Sequence, residues 1–268
     1  MPTTILQATV GAGKTEAALS RLSQVISDPQ RPFARVWVLL ATKRQEVAFR
    51  QRLIDLQDGR AVYFNAEFFN FYELNARLLN VAGQPPRRIN EPARLGLLRK
   101  VLYDLSAKGQ LPTFKPIVST SGFVRVVADL IYELKQNRVF PETYLHAAQE
   151  SGVSKDHELA LIYETYQALM QSYDLVDREG EGWLALEALE TQPTLASDVN
   201  LLLVDGYDQF TPVQAACLAT ISQQVDDLVI TLTKAPDERH EREQAVIGRR
   251  FVEARQRLIV SHQAIDAP

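Results

Sequence analysis

The first part of the chain alternates between continuous apolar runs and apolar residues at helical spacing. Residues 4–10 and 36–41 are short runs rich in apolar and β-branched residues, which predicts two buried strands. Apolar residues three and four positions apart predict helices over residues 15–26 and 46–56. A third short strand is predicted at residues 61–64. The order strand, helix, strand, helix, strand predicts a parallel sheet.

After residue 66 the pattern changes to helical spacing alone. Six segments have apolar residues at this spacing, and proline and glycine occur in the connections between them. The predicted helices are residues 66–80, 90–106, 119–136, 141–150, 155–173 and 181–190. This part of the sequence therefore predicts an all-helical region.

Strand patterns return towards the end of the chain. Continuous apolar runs predict strands at residues 200–204 and 228–232, and a helix is predicted between them at residues 212–222. A charged segment with helical spacing follows at residues 241–258. The sheet signals therefore lie on both sides of the helical region.

Two separated groups of strand signals predict one sheet domain that the helical region interrupts. The simplest organisation is an α/β domain formed by residues 1–80 and 196–268, with an inserted all-helical subdomain at residues 81–195. Strands that are apolar throughout are buried on both faces, so the sheet should have helices on both sides. Residues 81–195 should contribute no central strand.

Composition limits the class of protein. Hydrophobic residues make up 46% of the sequence and charged residues 23%, as in soluble globular proteins. No apolar run approaches the roughly 20 residues that span a bilayer, and the N-terminus lacks the basic and apolar regions of a signal peptide. The single cysteine, Cys217, excludes an internal disulfide. We therefore expect a cytoplasmic protein with no membrane partner.

The charge of the chain bears on nucleic-acid binding. A net charge of −4 gives no global basic field, but single-stranded DNA needs only a local basic groove with aromatic platforms. The aromatic residues of segment 63–72 are either such platforms or core residues. A basic run is either a solvated helix face or a set of phosphate contacts, and it consists of Arg87, Arg88, Arg94, Arg99 and Lys100.

The clearest chemical signal lies where the first predicted strand meets the first predicted helix. The residues there are Ala8, Thr9, Val10, Gly11, Ala12, Gly13, Lys14 and Thr15. Glycines at such a junction let backbone N–H groups surround a phosphate at a helix N-terminus, which is the pattern of an ATP-type P-loop. In a P-loop, Lys14 reaches the β- and γ-phosphates and the Thr15 hydroxyl binds Mg²⁺. The strict pattern begins with glycine rather than Ala8, and the alternative is a chance glycine-rich turn.

An acidic residue completes the predicted site from a distant part of the chain. Asp205 ends an apolar run, where P-loop ATPases place the carboxylate that holds Mg²⁺. Its alternative role is to cap the turn after a core strand. Lys14 and Asp205 are therefore the predicted catalytic residues, and Thr15 and Asp205 are the predicted Mg²⁺ ligands.

The residue after Asp205 bears on hydrolysis. Many P-loop ATPases have a glutamate here that polarises the attacking water, and this chain has Gly206. Water activation would then depend on Asp208 or on another residue. We therefore expect weak ATP hydrolysis or none.

Several segments resemble the motifs of a known helicase family. Residues 203–214, Leu-Val-Asp-Gly-Tyr-Asp-Gln-Phe-Thr-Pro-Val-Gln, resemble motif II of superfamily 1 helicases of the UvrD type. The Asp-Gly pair followed by Phe-Thr-Pro and Gln resembles specifically the B subunit of AddAB (RexAB) helicase–nucleases, in which the helicase fold survives without motor function. Residues 40–43 are similar to motif Ia, which touches single-stranded DNA, and residues 64–79 to the DNA-contacting segment that follows it.

The resemblance implies both a fold and a set of ligands. It implies a RecA-like P-loop sheet with an inserted helical subdomain, and it implies bound ATP and Mg²⁺. The implied partners are single-stranded DNA and a second helicase–nuclease subunit, in DNA repair and recombination. Residues 231–236 lack the Gly-Asp-x-x-Gln that couples nucleotide to DNA, which indicates a degenerate motor.

An alternative function remains open at this point. The chain is either this helicase-like module or an autonomous P-loop kinase that acts on a nucleotide or another small molecule. The long spacing between Lys14 and Asp205 favours the helicase-like module, because in a compact nucleotide kinase these two residues would be much closer in sequence. We also expect no second motor domain within the 268 residues.

Overall fold

The computed structural model describes residues 3–56, 65–233 and 253–259. The strands in these ranges are β1 (Thr3–Ala8), β2 (Val36–Leu40), β3 (Ala66–Phe69), β4 (Leu201–Asp205) and β5 (Leu228–Thr233). They form one sheet in the order β1-β5-β4-β2-β3, and every neighbouring pair is parallel. The prediction of an α/β protein with a parallel sheet is therefore confirmed.

Helices connect these strands and fill the middle of the sequence. They are α1 (Lys14–Ile26), α2 (Lys43–Asp55), α3 (Phe71–Val81), α4 (Glu91–Ala107), α5 (Ser121–Gln136), α6 (Pro141–Ser151), α7 (Ser154–Ser172), α8 (Arg178–Thr191) and α9 (Pro212–Ser222). Each helix predicted between residues 90 and 222 is present, with ends that differ by three residues or fewer. Residues 253–259 add a helical segment, and the rest of the predicted helix 241–258 lies outside the described residues.

The central strands are buried on both faces because they are apolar along their whole length. Every residue of β2 and β4 is buried, and all of them except Asp205 are apolar. Val38 lies opposite Leu203 in the parallel register. Successive side chains on a strand point to opposite faces. Leu19 of α1 and Phe49 of α2 belong to the same core cluster as Val38 and Leu203. Leu202 points to the other face and is 0% exposed, so that face is covered as well.

The helix predicted at residues 66–80 is wrong in its first turn. Residues Ala66–Phe69 form β3 instead, paired with β2. The helix begins at Phe71, because the Asn70 side chain accepts hydrogen bonds from the backbone N–H groups of Tyr72 and Glu73. The Glu73 carboxylate accepts from the N–H of Asn70 in return, which completes a capping box. The strand predicted at residues 61–64 lies outside the described residues.

The chain divides into two compact units, which are Met1–Gln84 with Leu184–Pro268, and Pro85–Trp183. The second unit, here called the helical unit, has a core that includes Leu102 of α4, Val127 of α5 and Tyr163 of α7. In the part of the chain that the structure describes, no helix is both long enough and apolar enough to cross a membrane.

An ion pair is buried inside the helical unit. Lys135 and Asp177 are 2% and 1% exposed, and the lysine ammonium donates to both carboxylate oxygens at 2.8 Å. Asp177 also accepts from the Tyr166 hydroxyl at 3.0 Å and from the backbone N–H of Gly180 at 2.8 Å. The indole of Trp183 donates to the Lys135 carbonyl at 3.0 Å. These bonds join the end of α5 to the start of α8.

Candidate functional site

The loop between β1 and α1 has the backbone conformation that the glycines of the sequence suggest. Gly11 and Gly13 have φ angles of 78° and 77°, in the left-handed region that favours glycine. No atom lies within 4 Å of a Cβ built at either position. Val10 at the tip is 83% exposed. The loop is therefore open to solvent at the N-terminus of α1, whose first backbone N–H groups have no partners inside the helix.

The Lys14 ammonium lies over this loop. Its Nζ atom donates to the carbonyl oxygens of Ala8 at 3.0 Å and Thr9 at 2.7 Å. These two acceptors are uncharged, whereas a phosphate offers charged oxygens and stronger hydrogen bonds. Lys14 therefore braces the loop through two of its backbone carbonyls.

Asp205 meets the loop at the carboxyl end of the sheet. Its Oδ2 atom accepts a hydrogen bond from the Thr15 hydroxyl at 3.0 Å, although the two residues are 190 positions apart. Its Oδ1 atom accepts from the hydroxyl of Thr231 on β5. Asp205 is 7% exposed. The structure thus places Thr15, in the first turn of α1, against Asp205 at the end of β4, and Lys14 is the residue before Thr15.

Thr231 was not among the residues predicted from the sequence. It is 3% exposed and lies inside β5, whose other residues are apolar except for the terminal threonine. A single hydroxyl in an apolar strand is the signal that could have identified it. Its bond to Oδ1 leaves the carboxylate with its other oxygen towards Thr15.

The turn after Asp205 is tied to three neighbouring elements. The Gln45 carboxamide of α2 donates from Nε2 to the Gly206 carbonyl at 3.3 Å. The Tyr207 hydroxyl donates to the carbonyl of Leu40 on β2 at 2.9 Å. The Tyr207 ring also packs edge-on against Phe71 of α3, with ring centroids 5.2 Å apart. Burial raises the pKa of Tyr207, so this hydroxyl remains a hydrogen-bond donor at neutral pH.

The backbone conformation of this turn favours Gly206, and a side chain here would displace the end of the Gln45 side chain. The φ angle of Gly206 is 80°, and a Cβ at this position would lie 2.7 Å from Gln45 Nε2. Gly83 has a φ of 72°, and a Cβ built on it meets no atom within 4 Å. Replacing Gly83 by alanine therefore measures the backbone strain alone, without a steric clash. Gly206→Ala should therefore lower the free energy of unfolding by more than Gly83→Ala, which should cost about 1–2 kcal/mol.

Urea denaturation of the two single variants measures this difference. Adding Gln45→Ala to Gly206→Ala should recover the excess, because it removes the atoms that the new Cβ meets. Equal losses in Gly206→Ala and Gly83→Ala would show that Gln45 moves aside without cost.

Two aromatic residues of segment 63–72, Phe68 and Phe69, are packed against other rings. Phe68 contacts Phe49 edge-on, with centroids 6.3 Å apart, and the Arg50 guanidinium lies 4.0 Å from the centre of the Phe68 ring. Phe69 packs edge-on against Trp37 at 5.7 Å. These contacts agree with the core interpretation of this segment.

The basic run of the helical unit is largely engaged in ion pairs. Arg88 pairs with Glu181, Arg94 with Glu91 at 2.7 Å, and Lys100 with Asp104 at 2.8 Å. Intramolecular acceptors therefore already neutralise three of its five cations.

The oxygen ligands at the loop suit a magnesium nucleotide. Mg²⁺ prefers oxygen ligands, and it is commonly held by one or two carboxylates together with substrate phosphates. The Thr15 hydroxyl and the Asp205 carboxylate offer such oxygens beside the glycine loop. Among residues 3–56, 65–233 and 253–259, no group of three His, Cys, Asp or Glu side chains could hold a metal ion by itself.

Comparison with known proteins adds a family to this geometry. The family model described as "ADDB, N-terminal" matches residues 6–258. Three curated relatives are those of Clostridium botulinum strain Loch Maree, Moorella thermoacetica and Alkaliphilus metalliredigens, at 24% identity over 228 residues, 25% over 244 and 26% over 229. Each relative is named as the B subunit of an ATP-dependent helicase/deoxyribonuclease.

These matches cover most of this chain but only a small part of each relative. They cover 83%, 87% and 83% of this chain but only 19%, 20% and 19% of the relatives. The chain therefore spans about a fifth of the length of the curated relatives that it matches.

Proposed function

The chain belongs to the family described as ADDB, N-terminal, and from that premise we propose that it is the ATP-binding first domain of a DNA-repair helicase–nuclease subunit. The names of its relatives support the subunit assignment and imply a partner subunit. The observation that carries the ATP-binding proposal is the meeting of Lys14, Thr15 and Asp205 at the carboxyl end of a parallel sheet. This end of an open parallel sheet is the usual place for a ligand.

Each group at the site has a defined role in this proposal. The backbone N–H groups of residues 8–15 and the Lys14 ammonium would bind the β- and γ-phosphates. The Thr15 hydroxyl and the Asp205 carboxylate would hold Mg²⁺, which would supply positive charge to the phosphates. The Thr231 hydroxyl keeps the Asp205 carboxylate oriented as an acceptor, since it donates to the oxygen that does not face Thr15.

The proposed architecture is a RecA-like P-loop domain that carries an inserted helical subdomain. The compact unit Pro85–Trp183 supports an insertion that lies within the predicted span 81–195. The similarity of residues 203–214 to motif II of superfamily 1 helicases supports the RecA-like assignment. The inserted helices would separate Thr15 from Asp205 in sequence without disturbing the sheet.

We infer that the domain is a scaffold rather than a motor. Gly206 lacks the carboxylate that orients the attacking water, and phosphoryl transfer depends on this positioning. The element that couples nucleotide to DNA in related helicases is also absent from the sequence after β5. Bound ATP would then stabilise the fold by mass action, and single-stranded DNA would bind without being translocated.

Equilibrium binding tests the proposed function. The 268-residue chain should bind radiolabelled ATP saturably in the presence of Mg²⁺, and it should bind a labelled single-stranded oligonucleotide with an affinity that falls as salt is raised. It should form no phosphorylated product from a panel of nucleosides. A chain that does not bind ATP would overturn the proposal, and a phosphorylated nucleoside would assign the chain to the kinases instead.

Steady-state ATP turnover by this chain should be slow and insensitive to single-stranded DNA. The chain lacks a glutamate after Asp205, and an arginine from a second motor domain can contribute roughly 10³–10⁵ in rate in related phosphoryl-transfer systems. Phosphate release measured with and without an oligonucleotide checks this. Turnover that DNA stimulates strongly would show that another residue, such as Asp208, activates the water.

Gly206→Glu is the obvious variant for restoring turnover, but it changes two things at once. It adds a carboxylate beside Asp205, and it also introduces the backbone strain and the clash with Gln45 described above. The variant is therefore best made together with Gln45→Ala. Its folding should be checked by its melting temperature, and its turnover should be compared with that of Gln45→Ala alone, which isolates the effect of the new carboxylate.

A further inference from the structure

Gln45 occupies the space that a side chain at position 206 would need. Three of its carboxamide atoms lie 2.7, 3.0 and 3.2 Å from a Cβ built on Gly206. The left-handed φ of Gly206 and the side chain of Gln45 therefore fit each other as a pair. A polar group from α2 therefore lies where a side chain at position 206 would otherwise stand.

The orientation of this carboxamide is fixed at both ends. The Thr42 hydroxyl, which caps α2, accepts from the backbone N–H of Gln45 at 3.2 Å and donates to Gln45 Oε1 at 3.1 Å. The Nε2 end is left to donate to the Gly206 carbonyl at 3.3 Å. A chain of contacts thus runs from the N-terminus of α2, through Gln45 and Gly206, to Asp205 and Thr15.

We propose that Gln45 is a positioning residue of the nucleotide site, which holds the turn after Asp205 so that the Asp205 carboxylate faces Thr15 and would be placed to hold Mg²⁺. This inference rests on the proposed function, because it assigns Gln45 to the site that Mg²⁺-ATP would occupy. Thr231 fixes Asp205 from β5, and Gln45 fixes the backbone that follows it from α2. Without Gln45 the turn keeps the hydrogen bond and the ring contact of Tyr207, and we expect the Asp205 carboxylate to be held less precisely.

If Gln45 positions Asp205, its loss should weaken only the part of nucleotide binding that depends on magnesium. The phosphate contacts of the loop and Lys14 do not depend on Gln45, whereas the magnesium contact depends on where Asp205 lies. Gln45→Met keeps the length of the side chain and removes the donor. It should weaken binding of a fluorescent ATP analogue about three- to tenfold in Mg²⁺, the size expected for one hydrogen bond, and leave binding in EDTA unchanged.

Gln51 provides the matched control. It lies on the same helix, is exposed, and donates to Asp55 at 2.9 Å, away from the turn at Gly206. Gln51→Met should bind the analogue as the parent does in both conditions. The melting temperatures of both variants should stay close to that of the parent, which separates positioning from loss of fold.

Three results would overturn the inference, and they are distinguishable from failure of the proposed function. Equal Mg²⁺-ATP affinity in Gln45→Met and the parent would show that Gln45 does not position Asp205. Equal losses in Mg²⁺ and in EDTA, or a matching loss in Gln51→Met, would show a general structural effect. If instead the parent binds no nucleotide, or Lys14→Ala binds as well as the parent, the proposed function itself fails and this inference fails with it.

Discussion

Replacing Lys14 by alanine should weaken Mg²⁺-ATP binding by a factor of roughly 30 to 150. The ammonium is the one side-chain cation in segment 8–15, and a hydrogen bond to a charged group contributes about 2–3 kcal/mol. The contact is charge-assisted on both sides when the acceptor is a phosphate oxygen. Titration of a fluorescent ATP analogue into parent and variant measures the loss.

The structure adds a second consequence of this substitution. Lys14 also donates to the carbonyl oxygens of Ala8 and Thr9, so its removal takes a brace from the loop as well as a phosphate ligand. Lys155→Ala, at an exposed position of α7 in the helical unit, makes the same change in net charge and should leave the affinity unchanged. Equal ATP affinity in Lys14→Ala and the parent would remove Lys14 from the site.

Breaking the buried pair Lys135–Asp177 should unfold or severely destabilise the helical unit. Asp177→Asn leaves the Lys135 ammonium buried without a counter-charge, and removing one partner of a buried pair costs about 3–5 kcal/mol. For a unit of this size that loss corresponds to a fall in melting temperature of at least about 12 °C. Lys135→Met should be similarly damaging, because it leaves the carboxylate with neutral donors only, Tyr166 and Gly180.

Tryptophan fluorescence can report on this unit alone. The chain has two tryptophans, Trp37 in β2 and Trp183, and Trp183 donates to the backbone of Lys135. In a Trp37→Phe background, thermal unfolding followed by fluorescence therefore reports on the surroundings of the ion pair. The exposed pair Lys100–Asp104 in the same unit is the control, and Asp104→Asn should leave the transition close to that of the parent.

The same pair gives the helical unit a dependence on acid. Burial alone would raise the pKa of the Asp177 carboxyl, but the Lys135 ammonium and the hydrogen bonds from Gly180 and Tyr166 hold its pKa below the usual range. A lowered pKa in the folded state gives stability that is present above the unfolded pKa, about 3.9, and is lost as pH falls through the folded value. An unchanged melting temperature in Asp177→Asn at neutral pH would contradict both parts of this account.

The sequence by itself determined the features that depend on short stretches of chain. The loop at residues 8–15 follows from glycines at a strand-to-helix junction, because left-handed φ angles at Gly11 and Gly13 are local properties of the backbone. The strands at residues 36–40 and 201–205 follow from uninterrupted apolar runs, which only a sheet covered on both faces can bury. Asp205 was identified for the same reason, as the polar residue that ends such a run.

Short segments with mixed signals needed the tertiary structure. Residues Ala66–Phe69 have apolar and aromatic side chains that suit either a helix or a strand, and the sequence favoured a helix. The free edge of β2 and the capping box at Asn70 decided otherwise, because one supplies backbone partners and the other stops the helix from extending backwards. The pattern of residues within a four-residue segment does not show whether the edge of a sheet lies close enough to pair with it.

The hydrogen-bond partners of Asp205 and of the turn after it could not be predicted from the sequence, because they depend on the order of strands in the sheet. Because β4 lies between β5 and β2, Asp205 meets Thr231 on one side and the turn after it meets Gln45 on the other. The sequence presented Gly206 as the loss of a glutamate, whereas the structure shows a left-handed residue whose missing side chain makes room for Gln45. Such complementarity joins residues 161 positions apart, and it depends on the packing of α2 against the sheet rather than on any pattern along the chain.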